Sequence, residues 1–341
     1  MEYTFRQGKV RDVYESKDSL VLIATDRVSA FDSIMPTLIP GKGNILTTIS
    51  NFWFKYFDKF SNHLLNTSVG LNEINEPPFS KYLDSQKSIV ENVKDINNRT
   101  MFCKKVNVLP IEFIVRGYMA GSIWKEYESV WNSTNGKRPI NEYKEIKVGD
   151  HMFSSNKLKQ CEEISYLQRN YSLFGRCLGE KVRPIFTPST KSETGHDENI
   201  SFEKSVNICA NHYSMTVDGA FILMKHLKRL SINIYEKARS YAMTCGFIIA
   251  DTKFEFGRVN GKMVIVDELL TPDSSRYWKL STYKIGQDQD SYDKQILRNY
   301  LISQGWEYGV TKEVDALPDW LVQKLINRYQ EICDCLVGRN K

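Results

Sequence analysis

The chain has 341 residues, 41% of them hydrophobic and 26% charged, with a formal net charge of +5. That length exceeds what one core usually needs, so two lobes or a core with insertions is expected within an ordinary globular composition. The positive charge is too small to argue for a nucleic-acid partner; it suits a small anionic substrate, and solubility explains it equally well, while seven cysteines without CxxC or metal-ligand spacing fit free thiols in a reducing compartment.

No apolar run approaches the roughly 20 residues that span a bilayer, and the first residues lack the apolar region of a signal peptide. A cytoplasmic protein without membrane or nucleic-acid partners is therefore expected. Residues 1–35 alternate like a small antiparallel sheet, with Gly8-Lys-Val-Arg-Asp-Val-Tyr14 leading to the apolar strand Ser19-Leu-Val-Leu-Ile-Ala-Thr25. Gly8, Lys9 and Arg11 fall where two strands would turn over a ligand. Glycine beside basic residues can cradle phosphates. The stretch is neither a Walker loop nor a dinucleotide fingerprint, and alone it reads as a surface hairpin.

After Asp26-Arg-Val-Ser-Ala-Phe-Asp32 and Pro40-Gly-Lys-Gly43, an amphipathic helix is expected from about Ile45 to Phe60. Its aromatics, Phe52, Trp53, Phe54, Tyr56 and Phe57, read as core. Residues 61–98 are polar and mixed. Two apolar strands follow, at 100–110 and 111–116, of a kind that could flank an adenine. Gly117-Tyr-Met-Ala-Gly-Ser122 then opens a helix with Ser122 as its expected N-cap. The free N–H groups of such a helix start, beside Arg116, make an anion site.

Residues 132–182 read as a surface insertion outside the active site, with 157–175 folded back on the body or on a partner subunit, a short helix near 157–170, and 132–156 mobile. Residues 184–199 read as a loop, because two prolines and a glycine leave little room for regular structure. His196 and Asp197 lie in it; solvated side chains are the bland reading, but loops carry function. Helices are expected across 202–210 and 216–245, the second with Arg229, Lys237 and Arg239 on its solvated face. Two more are expected at 291–302 and 318–329.

The densest chemistry sits on two strands, Gly246-Phe-Ile-Ile-Ala-Asp-Thr-Lys-Phe-Glu-Phe-Gly257 and Met263-Val-Ile-Val-Asp-Glu-Leu-Leu270. Strand alternation puts Asp251, Lys253 and Glu255 on one face and Ala250, Thr252, Phe254 and Phe256 on the other. A wet sheet face would explain the charges, yet the apolar flanks suggest a covered sheet, where charges must meet a metal, a phosphate or each other. A two-residue Asn260-Gly261 turn would set Val266 opposite Glu255. A three-residue loop would instead set Asp267 there, close enough to share a cation.

Six segments in order resemble the SAICAR synthetase (phosphoribosylaminoimidazole-succinocarboxamide synthase) family, in its longer, fungal-like form. They are Gly8-Lys-Val-Arg-Asp, Ala24-Thr-Asp-Arg-Val-Ser-Ala-Phe-Asp32, Val115-Arg-Gly-Tyr-Met-Ala-Gly-Ser122, Pro184-Ile-Phe-Thr-Pro-Ser-Thr-Lys191 with Gly195-His-Asp-Glu-Asn199, Ala250-Asp-Thr-Lys-Phe-Glu-Phe-Gly257, and Asp267-Glu-Leu-Leu-Thr-Pro-Asp-Ser-Ser-Arg276. The resemblance implies an α+β, two-lobed fold of antiparallel sheets with packed helices and an ATP cleft between the lobes. It implies a nucleotide-binding lobe over 1–112 and a substrate and metal lobe over 113–341. It also implies an ATP- and Mg²⁺-dependent ligase that joins L-aspartate to carboxyaminoimidazole ribotide (CAIR), as a monomer or a homo-oligomer.

By the same resemblance, Gly8, Lys9, Val10 and Arg11 cover the ATP phosphates, while Lys104, Val106 and Glu112 border adenine and ribose. Lys253, also on the ATP side, and Asp251 face the reacting carboxylate. Glu255 and Asp267 hold Mg²⁺. Arg116, Ser122, Ser275 and Arg276 bind the ribotide phosphate side. Asp32, Lys191, His196 and Asp197 line the substrate end, Asp197 as a catalytic residue, with room for a second metal. The rival enzyme reading is a kinase-like small-molecule phosphotransferase, although the chain lacks His-Arg-Asp and Asp-Phe-Gly motifs. A nucleotide- or RNA-binding module ranks last, because basic residues are dispersed among acids.

Overall fold

The structure is a computed structural model that describes residues 4–31, 33–66, 96, 98–125, 128, 177–191, 199–306 and 315–338. Asp32, His196 and Asp197 lie outside the described residues, as do the two parts expected within the insertion, 132–156 and 157–175. The strands are β1 (Thr4–Gln7), β2 (Arg11–Glu15), β3 (Ser19–Ala24), β4 (Ser29–Ala30), β5 (Ser33–Ile34), β6 (Leu64–Asn66), β7 (Thr100–Lys104), β8 (Asn107–Val108), β9 (Ile111–Tyr118), β10 (Lys181–Thr190), β11 (Phe247–Val259), β12 (Lys262–Val266) and β13 (Ser275–Lys279). The helices are α1 (Lys42–Tyr56), α2 (Phe202–His212), α3 (Val217–Thr244), α4 (Gln295–Ser303) and α5 (Asp319–Val337). Antiparallel sheets with packed helices make the class α+β, as expected. No described helix is long and apolar enough to cross a membrane.

Contacts divide the chain into two units. The first holds 1–108, 256–276 and 291–341, and the second holds 109–255 and 277–290. The chain crosses between the units at Val108/Leu109, 255/256, 276/277 and 290/291.

In the first unit, β1, β2 and β3 form the expected antiparallel meander, continued as β1–β2–β3–β7–β6. The turn between β1 and β2 is Gly8–Val10, and Arg11 pairs with Ala24. Helix α1 begins three residues earlier than the apolar pattern suggests, behind Gly41 at φ 79°. The distant Asp26 carboxylate accepts the N–H groups of Gly41 and Gly43 at 3.2 and 2.9 Å, so it serves the helix start from outside the local sequence. Trp53, Phe54 and Phe57 are buried as expected, whereas Tyr56 is exposed. Val28, Met35 and Ile39 pack with Leu297, Leu301, Leu321 and Leu325 of α4 and α5 in one apolar cluster.

The second unit is built on β10–β9–β11, where β11 belongs to it as far as Glu255. Opposite residues of an antiparallel pair share a face, and the register sets Arg116 against Asp251 and Ile185, and Ile114 against Lys253 and Thr187. The face bearing Phe113, Val115, Phe186 and Phe254 is buried, with α3 packed on β9 and β10. The strand β10 corrects the expectation of a loop for 184–190, and 192–198 lie outside the described residues. Among the described residues β10 is the edge of its sheet, where a missing proline N–H costs no ladder bond, and Pro184 falls at a register shift between Lys181 and Ile185. Arg239 is a second correction: Arg229 and Lys237 are exposed, but the Arg239 guanidinium lies over the Tyr235 ring at 5.5 Å.

Tyr235 ties α3 to this sheet. Its hydroxyl lies 2.8 Å from the Ile249 carbonyl and 3.2 Å from that of Ala250, and the residue is fully buried. Gly117 makes room for it, since a Cβ there would stand 2.1 Å from the Tyr235 hydroxyl. Gly117→Ala should therefore destabilise the protein by about 1–3 kcal/mol, the usual range for overpacking a filled core. Urea unfolding of the variant checks this, and a change within error of zero would show that α3 can shift freely.

Candidate active site

The polar face of the second unit carries two connected groups. In the first, the Lys253 ammonium donates to Glu112 Oε1 at 2.8 Å and to Glu255 Oε1 at 3.0 Å, bridging two carboxylates. Ser189 donates to the other Glu112 oxygen at 3.1 Å, and Lys191 donates to the other Glu255 oxygen. Glu255 is 4% exposed, and burial by itself would raise its carboxyl. The charges of Lys253 and Lys191 outweigh that and hold it at about 2.

In the second group, Arg116 uses all three of its nitrogens. Nε donates to Thr187 Oγ1 at 2.9 Å, Nη1 to Asp251 Oδ2 at 3.1 Å and Nη2 to Ser122 Oγ at 2.9 Å. Ser122 occupies the first helical position rather than the N-cap, and Gly121, at φ 64°, precedes it. The hydroxyl expected to cap the helix is turned to the guanidinium instead, a charge-assisted bond that is the stronger alternative.

The first unit joins two of the sequence motifs. Arg11, which follows the Gly8–Val10 turn, donates from Nη1 to Asp267 and pairs through Nη2 with Glu268 at 2.7 Å. Asp267 follows β12 and has φ 65°, so strand alternation no longer sets its direction. The turn between β11 and β12 holds two residues, Asn260 and Gly261, at φ 49° and 75°. Both positive φ values identify a type I′ hairpin, whose twist matches that of the strands. The three-residue loop, which would have paired Asp267 directly with Glu255, is thereby excluded. Arg276, the second residue of β13, approaches Asp293 at 3.8 Å, while Ser275 before it is buried. Lys104 ends β7 exposed, and Val106 beyond it packs against Gly257.

Sequence reasoning overlooked a buried ionic knot at Asp273. Its carboxylate accepts from Lys42 at 2.7 Å and from Tyr329 at 3.1 Å, and it pairs with Lys294 at 3.0 Å. Burial would raise the Asp273 carboxyl, but the two ammoniums hold it well below the usual range, and burial pushes the Lys42 ammonium down. One signal was available: Lys42 opens α1, where the helix dipole disfavours a cation, so a specific partner was called for.

Comparisons with known proteins agree with these motifs. The family pattern described as SAICAR synthetase matches residues 4–171 and 179–313. A phosphoribosylaminoimidazole-succinocarboxamide synthase of Thermodesulfovibrio yellowstonii is 44% identical over 328 residues, covering 96% of this chain and 92% of the relative. One from Candida maltosa is 38% identical over 336 residues, covering 97% and 94%. The solved SAICAR synthase of Saccharomyces cerevisiae complexed with SAICAR has a TM-score of 0.71 and 32% identity, covering 98% of this chain and 95% of that one.

The Glu255 cluster has a pH signature. Its carboxyl lies at about 2 in the fold against an ordinary 4.5. The stabilisation is therefore complete above pH 4.5 and drains away as the pH falls towards 2. Urea midpoints of the parent and Glu255→Gln should differ most above pH 4.5 and converge below it. A pH-independent gap would assign the loss to packing rather than to charge.

Proposed function

The chain belongs to the SAICAR synthetase family and is an ATP-dependent ligase of purine biosynthesis, and we propose that it joins L-aspartate to CAIR through an acyl phosphate. A carboxylate is a poor electrophile, and transfer of the ATP γ-phosphoryl group to one of its oxygens creates a leaving group. The aspartate amine then attacks the carbonyl carbon, the carbon–nitrogen bond forms, and phosphate departs. Catalysis of such a transfer consists mainly of positioning and charge neutralisation. The observation that carries the reading is the polar face of β9, β10 and β11, where Lys253, Lys191 and Arg116 are held in place by Glu112, Glu255 and Asp251.

In this reading Gly8 to Arg11 serve the phosphates, Lys104, Val106 and Glu112 border adenine and ribose, and Lys253 meets the reacting carboxylate with Asp251 beside it. Lys191 belongs to the substrate end with Asp32, His196 and Asp197. Glu255 and Asp267 are the carboxylates assigned to Mg²⁺. The two-residue turn removes the direct opposition through which they would have shared one cation, so each enters the assignment by itself, through the carboxylate oxygens that a hard cation takes beside phosphate. Bound there, Mg²⁺ would neutralise phosphate charge. The free thiols of the six described cysteines support a cytoplasmic setting.

The reading predicts sustained ADP release only when CAIR and L-aspartate are both present, measured in a coupled assay with each substrate omitted in turn. Equal turnover without aspartate would favour a simple phosphotransferase. Ser275 and Arg276 are assigned to the ribotide phosphate with Arg116 and Ser122. Lysine lacks the planar fork of Arg276. Arg276→Lys should raise the CAIR KM roughly tenfold or more, the scale of one charge-assisted hydrogen bond, with the ATP KM little changed. Equal effects on all three substrates would point to folding instead.

A further inference from the structure

The carbonyls of the Gly8–Val10 turn are all engaged by one short segment. Arg27 donates from Nη2 to the Gly8 carbonyl at 3.0 Å and from Nε to the Lys9 carbonyl at 3.3 Å. Thr25 donates its N–H and its hydroxyl to the Val10 carbonyl at 3.1 and 2.8 Å. Arg27 is itself anchored by Asp12, which accepts from Nη2 at 2.6 Å and from Nη1 at 3.4 Å. Asp12 is 2% exposed, so the anchor is part of the sheet's buried fabric. The Arg27 hydroxyl neighbour, Thr25 Oγ1, also accepts the Arg27 N–H at 3.2 Å, which locks the two residues together.

A loop that holds phosphates has to present N–H groups and turn its carbonyl dipoles away, because each carbonyl oxygen carries negative charge. Within the turn the Gly8 N–H donates to the Arg11 carbonyl at 2.7 Å, a bond that fixes none of these three carbonyls, and every residue of the preceding strand β1 is exposed. We propose that Arg27, held by Asp12, is a positioning residue of the phosphate loop: its guanidinium draws the Gly8 and Lys9 carbonyls to one side, leaving the opposite edge of the loop to the nucleotide phosphates. In this arrangement Arg27 acts on the loop itself: Nε and Nη2 serve the Lys9 and Gly8 carbonyls, and Nη1 and Nη2 serve Asp12. A planar fork satisfies two carbonyls and a carboxylate together, and a lysine ammonium does not reproduce that geometry. The proposal rests on reading Gly8–Arg11 as the phosphate loop.

The test compares ATP with adenosine, which carries no phosphate, by calorimetric titration of the full chain, alongside melting temperatures. Arg27→Gln and Arg27→Lys should both weaken ATP roughly tenfold to a hundredfold, with adenosine affinity and CAIR KM unchanged. Asp12→Asn, which keeps the shape of the anchor, should weaken ATP in the same selective way by a smaller factor and serves if Arg27 variants do not fold. Unchanged ATP affinity in a folded Arg27→Gln protein would overturn the proposal. So would parallel loss of ATP, adenosine and thermal stability, which would mark Arg27 as merely structural. Lys9→Ala separates the two levels. If it too leaves ATP binding intact, the phosphate-loop reading itself fails; if it weakens ATP while Arg27→Gln does not, only the positioning role fails.

Discussion

A charge on a covered sheet face survives only beside its opposite, and Lys253 is where the second unit meets that demand. Its ammonium stands between Glu112 of β9 and Glu255 of β11, so one cation compensates two carboxylates drawn from two strands. Removing Lys253 would take that cation from two largely buried carboxylates at once, and losing one member of such a cluster costs more than losing the whole of it. The strand register is what makes this balance available: a slip of one residue would turn Lys253 to the face occupied by Phe113 and Phe254. Arg116 and Asp251 are directly opposed on the same face by the same register.

The first unit applies the same rule away from the expected ligands. Asp26 gathers Arg99 and two N–H groups at the start of α1, and Asp273 gathers Lys42, Lys294 and Tyr329. Tyr329 lies on α5 and Lys294 directly precedes α4, so the turn between Thr271 and Arg276 is tied to three helices. Rigid support of this kind fixes the backbone of a short polar turn and so the place from which its side chains reach out.

Periodicity revealed the elements whose burial follows from their own pattern. The β1–β3 meander, the two helices after residue 200 and the division of β11 into a charged and an apolar face all match the reading of the residues. Elements decided by neighbours were less legible. Pro184 and Pro188 argue locally against a strand, and only the edge position of β10 makes them tolerable. The Ser122 hydroxyl had a local use as a cap, and a distant guanidinium took it instead.

The sequence alone determined the ordered motifs and which charged residues share a strand face, because both are properties of neighbours along the chain. Through the resemblance those motifs carry, it also implied the α+β class, which the antiparallel sheets and packed helices bear out. The tertiary structure alone decided which charges meet. Arg11 finds Asp267, Lys42 finds Asp273 and Glu112 finds Lys253 across separations of more than a hundred residues. An ion pair depends on distance in space and on burial, and neither is written in the spacing of residues along a chain.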